Sequence, residues 1–318
     1  MTSGSAIKVG VLLWSQGTDW PTFQRAAQRV DDLGYAHLWT WDHLLPIFGN
    51  ARQPIFEGWT TLGAIATVTR QVDIGLLVGA NTFRNPAIVA KAAVTLDHIS
   101  GGRCILGLGG AWFQPEHEAY GIDFGKSTLE RLEWLDEAAG LIRALLDGVE
   151  LDHPGPHYQT RELTLVPPPV QARLPMMIGG VGERRTLRTV ARYADLWNAY
   201  GGPDELRHKA GVLREHCERE GRDPATIEFS VACKPFIRDS ERDARRLLEH
   251  ALAHNRTRPE DVADDESFWV GTAEQIAERM VVLRQAGFTT FIAQIPAPYD
   301  AETLERFVHE VKPLVDGS

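Results

Sequence analysis

Short apolar segments rich in β-branched residues alternate, from one end of the chain to the other, with segments whose apolar residues recur every three or four positions. A strand buried on both faces reads as a continuous apolar run, and a helix covering it is apolar on one side only, so this alternation predicts βα units laid into a parallel sheet. The strand candidates are 8–13, 36–41, 72–79, 103–108, 175–179, 195–199, 227–233 and 288–295. Eight is the number that closes a (β/α)8 barrel. The helical periods are Phe23, Ala27, Val30 and Leu33, then Ile88, Ala92, Leu96 and Ile99, then Leu187, Val190, Ala191 and Ala194. Each of these faces is expected against the outside of the sheet. Gly34 and Gly287 stand where a left-handed residue would end a helix just ahead of a strand.

Two stretches break the repeat. Residues 148–173 are rich in Pro, Gly and His, and 255–268 are polar and acidic. Both read as loop insertions in a single domain spanning 1–318 rather than as linkers, and one of them is expected to serve as a lid. A doubly wound open sheet would require a glycine-rich fingerprint after the first strand, but Leu13 is followed by Trp-Ser-Gln-Gly-Thr-Asp-Trp with a lone glycine.

Composition narrows the partners. The 318 residues are 43% hydrophobic and carry a net charge of −10, with Lys and Arg scattered along the chain. No basic footprint for nucleic acid is present. No apolar run reaches the roughly 18 residues needed to cross a bilayer, and the N-terminal segment lacks a signal-peptide core, so a cytoplasmic protein is expected. Cys104, Cys217 and Cys233 make no CxxC spacing and read as small buried apolar residues.

The chemistry of a barrel sits at the C-terminal ends of its strands. Those positions hold Trp14; Trp41, Asp42 and His43; Asn81 to Arg84, with Phe83 among them; and Gly109, Gly110, Ala111 and Trp112. So many aromatics suit a flat heterocycle or an apolar substrate, though each tryptophan taken singly is also an ordinary packing residue. His43 is a candidate proton donor or acceptor, and the alternative is structural, with Asp42 capping a turn and His43 packed beside it. Gly179, Gly180, Val181 and Gly182, leading into a helix expected to begin near Glu183, form either an anion-binding turn or simply a tight one. The pairs His250/His254 and His153/His157 have no third ligand nearby, so no metal is expected.

Taken as a set, LWTWDHLL (38–45), FRNPAIVAKAAVTLDHISGGRCILGLGGAW (83–112), EHEAYGIDFG (116–125) and MIGGVGERRTLRTVARYADLWN (177–198) resemble the luciferase-like monooxygenase superfamily, and within it the deazaflavin (coenzyme F-420) oxidoreductases. The resemblance covers nearly the whole chain. It implies that Asp42 and His43 lie against the deazaflavin ring with His43 catalytic. It implies that Leu77, Val78 and Gly79 form a bulge carrying a cis peptide behind the ring, with Asn81 close by. It further implies that Gly109 to Trp112 flank the cofactor tail, that Gly179 to Gly182 grip its phosphate, and that Trp14, Trp41, Phe83 and Trp112 line the substrate pocket. Some sugar-phosphate dehydrogenases of the family carry a catalytic Glu where this chain has Trp112, which points away from glucose 6-phosphate and toward an apolar substrate. The FMN branch often reads Glu-His-His where this chain has Asp42-His43-Leu44, which favours F-420 over FMN. The alternative is an FMNH2-dependent monooxygenase fed by a separate reductase, and a third reading is a barrel that binds flavin without turnover. A homodimer is expected from the same resemblance.

Overall fold

The computed structural model describes residues 6–318. Eight parallel strands close on themselves: Lys8–Leu13, His37–Thr40, Asp73–Leu76, Cys104–Gly109, Met176–Gly179, Leu196–Ala199, Glu228–Ile237 and Thr290–Ile295. Each pairs in parallel with the next, and the ring is completed by pairing of the eighth with the first in register Lys8↔Thr290. The expected (β/α)8 barrel is therefore the observed fold.

Alternation of side chains sorts the core into two shells. Leu12, Trp14, Trp39, Trp41, Ile105, Met177, Leu196 and Ile292 fill the inside of the barrel. A larger cluster, including Val11, Leu38, Ile74, Leu106, Ile178 and Val231, packs outward under the helices. At the N-terminal end Glu228 accepts from Lys8 Nζ (2.5 Å) and Thr290 Oγ1 (2.5 Å) beside buried His37, so polar side chains close that end.

The helices start and stop where their chemistry dictates. Trp20–Asp32 is capped by Asp19, whose side chain accepts from Thr22 N–H, and buries Phe23, Ala26, Ala27 and Val30. The helix Ala273–Ala286 has a reciprocal capping box between Thr272 and Gln275 and ends at Gly287 with φ +107°. Gly34 is likewise left-handed at φ +76°, and Leu187, Val190, Ala191 and Ala194 are all buried as expected. All three cysteines are buried and free.

The face of Pro86–Ser100 differs from expectation. Of Ile88, Ala92, Leu96 and Ile99 only Leu96 is buried, while Ile88 and Ile99 face solvent. The helix turns instead on Val89, Ala90, Ala93, Val94 and Asp97. Buried Asp97 fixes that rotation, because its carboxylate accepts from the N–H groups of Val170 (2.7 Å) and Gln171 (3.1 Å) and from Gln171 Nε2 (2.7 Å).

The third strand candidate, 72–79, is interrupted: Asp73–Leu76 and Gly79–Ala80 are separate strands joined across a cis Leu77–Val78 peptide. The seventh runs to Ile237, beyond the expected 233, because Lys234–Ile237 pair with an added strand, Phe268–Gly271, at the end of the 255–268 stretch. The other stretch holds an antiparallel hairpin, Leu151–His153 with Thr160–Leu163. Between its strands Tyr158 reaches the barrel mouth, its hydroxyl accepting from Asn81 Nδ2 at 3.0 Å. Among the described residues no helix is long and apolar enough to cross a membrane.

Candidate functional site

The second strand delivers Trp41, Asp42 and His43 to the C-terminal mouth, and the three side chains enter different environments. Asp42 is buried, its Oδ2 accepting from Ala80 N–H (2.9 Å) and Arg84 Nη1 (2.8 Å), while Oδ1 has no partner. Arg84 also donates to Glu57 Oε1 at 2.6 Å, and Glu57 caps the helix Gly58–Val68. Burial pushes the Asp42 carboxyl up to about 6; the guanidinium of Arg84 and the Ala80 N–H pull it back without offsetting the lost hydration.

His43 is held by a residue that the sequence reading did not single out. Its Nδ1 lies 3.0 and 3.2 Å from the two carboxylate oxygens of Glu116, which is 1% exposed and whose Oε2 also accepts from Leu44 N–H at 2.8 Å. A carboxylate only accepts, so it assigns the hydrogen to Nδ1 and leaves Nε2 with a free lone pair. Nε2 has no hydrogen-bond partner among the described residues. Glu116 opens the EHEAYG block, so its signal was a motif position rather than a spacing.

The floor of the mouth is built around Val78. A β-carbon on Gly109 would stand 2.7 Å from Val78 Cγ2, and one on Gly179 would stand 2.9 Å from it. One on Gly107 would lie 1.8 Å from the Leu76 carbonyl oxygen. Glycines at the ends of the fourth and fifth strands are thus required for Val78 to turn inward, where it and Leu77 pack on the inner aromatic cluster. Gly79 is buried and would place a β-carbon 2.9 Å from Gly107 O.

After the fifth strand Gly180 has φ +127°, its N–H donates to Asn198 O and its carbonyl accepts from Trp197 Nε1 (2.8 Å). Val181 is half-buried and Gly182 exposed. The helix begins at Thr186, after a turn through Glu183–Arg185, and not at Glu183 itself; no side chain caps it. Backbone N–H groups at that terminus, Gly182 and the exposed Arg184 and Arg185 make a lip suited to an anion.

The aromatics form a continuous run along one side of the mouth. Phe48 stacks on Trp14 (4.6 Å, 8°), Trp14 contacts Trp41 (4.8 Å), Trp41 lies 6.0 Å from His43, and His43 lies 5.6 Å from Trp112. Trp112 stands at the rim, 63% exposed, beyond Gly110 and Ala111, the latter in left-handed conformation at φ +58°. Phe83 makes no ring contact with this run and lies 4.9 Å from His117. Asn81 is buried, its N–H donating to Gly109 O and its amide engaged by Tyr158. Phe48 carried no chemical signal in the sequence.

A flat apolar floor at Val78, a buried unpartnered carboxylate oxygen on Asp42 and a glycine loop running into an uncapped helix fit a flat heterocycle with a phosphorylated tail. The barrel has counterparts among known proteins. The family model described as luciferase-like monooxygenase matches residues 4–290. A phthiodiolone/phenolphthiodiolone dimycocerosates ketoreductase of Mycobacterium sp. (strain JLS) is 30% identical over 247 residues, 71% of this chain and 62% of that protein. The chain therefore aligns with less than two thirds of the length of that relative. Among solved structures, a coenzyme F-420-dependent secondary alcohol dehydrogenase superposes with a TM-score of 0.83 at 20% identity, covering 98% of this chain and 99% of that one. A long-chain alkane monooxygenase superposes with a TM-score of 0.80 at 17% identity, covering 99% and 92%. Barrel, mouth and family match together identify the chain as a member of the luciferase-like monooxygenase family of oxidoreductases and monooxygenases.

Proposed function

We propose that this chain is a coenzyme F-420-dependent oxidoreductase that moves hydride between the deazaflavin and a small apolar organic substrate. The observation that carries the reading is the His43–Glu116 pair, which leaves Nε2 of His43 without a hydrogen-bond partner among the described residues. When bound, the reduced deazaflavin supplies hydride from C5. The chain's own part is to seat the ring, hold the substrate and manage one proton.

In the reductive direction His43 Nε2 gives that proton to the substrate oxygen, and in the oxidative direction takes it from the hydroxyl. Glu116 holds the imidazole in one tautomer and opposes its charge when both nitrogens are protonated. Trp14, Trp41 and Trp112 shield the reacting atoms from water. Val78 would back the ring, Asp42 and Asn81 would border it, and the 109–112 and 179–182 segments would flank its tail and phosphate. The named activity of the similar alcohol dehydrogenase supports this reading, as does the ketoreductase relative.

The similar alkane monooxygenase supports a second reading, an FMNH2-dependent oxygenase fed by a separate reductase. Titrating the purified protein with each cofactor and following its absorption spectrum separates the two. F-420 is expected to bind at least about tenfold more tightly than FMN, a difference of about 1.4 kcal/mol. Tighter FMN binding would transfer the proposal to the oxygenase.

A further inference from the structure

Against Trp14 lies an apolar slot that proton and hydride transfer do not require. Trp14, Phe48, Phe236, Leu252, Val262 and Phe268 line it. Only about 10 Å³ of it is open to the centre of a water molecule, so it is a narrow seam as it stands. Phe236 lies on the seventh strand, Phe268 on the added strand and Leu252 on a helix, whereas Val262 and Phe48 come from irregular segments, that of Phe48 crossing the mouth between the second strand and the helix Gly58–Val68.

The backbone of that segment is pinned. Buried Gln16 donates through Nε2 to Phe48 O (2.7 Å) and accepts at Oε1 from the N–H groups of Ile47 (2.9 Å) and Phe48 (3.3 Å). Gln53 Nε2 donates to the same Phe48 carbonyl at 3.2 Å. With both backbone polar groups of Phe48 engaged, rotation of its side chain is the movement that breaks no hydrogen bond. The ring lies nearly parallel to Trp14 at 4.6 Å and is half-buried, and Trp14 connects through Trp41 to His43.

We propose that the Phe48 side chain is a swinging plug that holds the substrate's seat, and that the substrate is a carbonyl compound or alcohol bearing an aryl group, which displaces Phe48, stacks on Trp14 and enters the slot. The carbonyl end of this assignment rests on the proposed hydride transfer; the aryl end rests on the slot alone.

The test separates the two. Tryptophan-fluorescence titrations of the F-420-loaded protein use 2-acetonaphthone, acetophenone, the non-planar cyclohexyl methyl ketone and acetone, and steady-state assays follow the same four compounds. The wild-type protein is expected to bind 2-acetonaphthone and acetophenone at least about fivefold more tightly than cyclohexyl methyl ketone. Phe48→Ala removes the competing ring and is expected to tighten 2-acetonaphthone binding by about fivefold, lowering its KM with little change in its kcat. Ala251→Phe, which fills the slot from the helix Glu241–His254, is expected to weaken 2-acetonaphthone by at least about tenfold and to spare acetone. Unchanged or weaker aryl binding in Phe48→Ala would overturn the plug, whether or not the Ala251 variant folds. If aryl ligands bind as expected but no ketone is turned over, hydride transfer fails and the slot stands. Turnover of acetone without any aryl preference overturns the slot alone.

Discussion

Glu116 holds Nδ1 of His43 at 3.0 Å across 73 residues of chain, from the start of a short helix to the end of the second barrel strand. Because the same carboxylate accepts from Leu44 N–H, it fixes both the ring and the backbone that carries it. His43→Ala is expected to lower kcat at least about tenfold with the fold intact. Glu116→Gln keeps an acceptor of nearly the same shape and loses the charge, so kcat is expected to fall about tenfold while KM stays within about twofold. Steady-state kinetics with circular dichroism on both variants checks this, and an unchanged kcat in either removes the pair from the chemistry.

Val78 and Gly109 are expected to couple. Gly109→Ala forces a β-carbon to 2.7 Å from Val78 Cγ2 and should cost about 1–3 kcal/mol by overpacking. Val78→Ala clears that space, so the double variant should be at least about 1 kcal/mol more stable than the sum of the single changes. Denaturant melts of the four proteins close the cycle. Strict additivity would mean that the glycine is not there for the valine.

The buried Asp42 carboxyl gives stability a definite pH dependence. Its folded value, raised by burial to about 6 from an ordinary 3.8, means that the folded state binds the proton more tightly than the unfolded one. The contribution is therefore fully present below the unfolded value and is lost as pH rises through the folded one, by roughly 3 kcal/mol for a shift of about two units. Asp42→Asn cannot titrate there. The stability of the natural protein relative to Asp42→Asn should fall between about pH 4 and pH 6 and level off above. A difference that is flat across this window, measured by urea unfolding, would show that the group does not titrate as described.

How far the sequence could be read followed from where each interaction is encoded. Barrel strands are local, written in contiguous apolar runs, and all eight emerge within a few residues of expectation. The glycine caps are equally local. The face of Pro86–Ser100 was not, because an Ala-rich helix has apolar residues on several sides and the deciding contact, Asp97 with Val170 and Gln171, lies 73 and 74 positions away. The hairpin between 151 and 163 was hidden by its Pro, Gly and His content, and the extension of the seventh strand depended on a partner more than thirty residues later. At the mouth, Asp42, His43, Val78, Gly179 and Glu116 were legible as motif members, whereas the hold of Glu116 on His43, the stacking of Phe48 on Trp14 and the contact of Phe83 with His117 depend on tertiary neighbours.

The sharpest division between oxidoreductase and oxygenase lies in the need for air. A deazaflavin has carbon where a flavin has N5, and its reduced form reacts sluggishly with oxygen while remaining a competent hydride donor. If His43 Nε2 exchanges one proton with a substrate oxygen while hydride goes to carbon, no oxygen atom enters the product. Conversion with reduced F-420 is therefore expected to proceed at the same rate under strict anaerobiosis as in air. With C5-deuterated cofactor, one deuterium should appear at the carbon bearing the product hydroxyl. His43→Ala should slow that transfer without altering where the label goes. Conversion that demands FMNH2 and oxygen, with labelled oxygen recovered in the product, would sink the hydride reading and assign the same mouth to oxygenation.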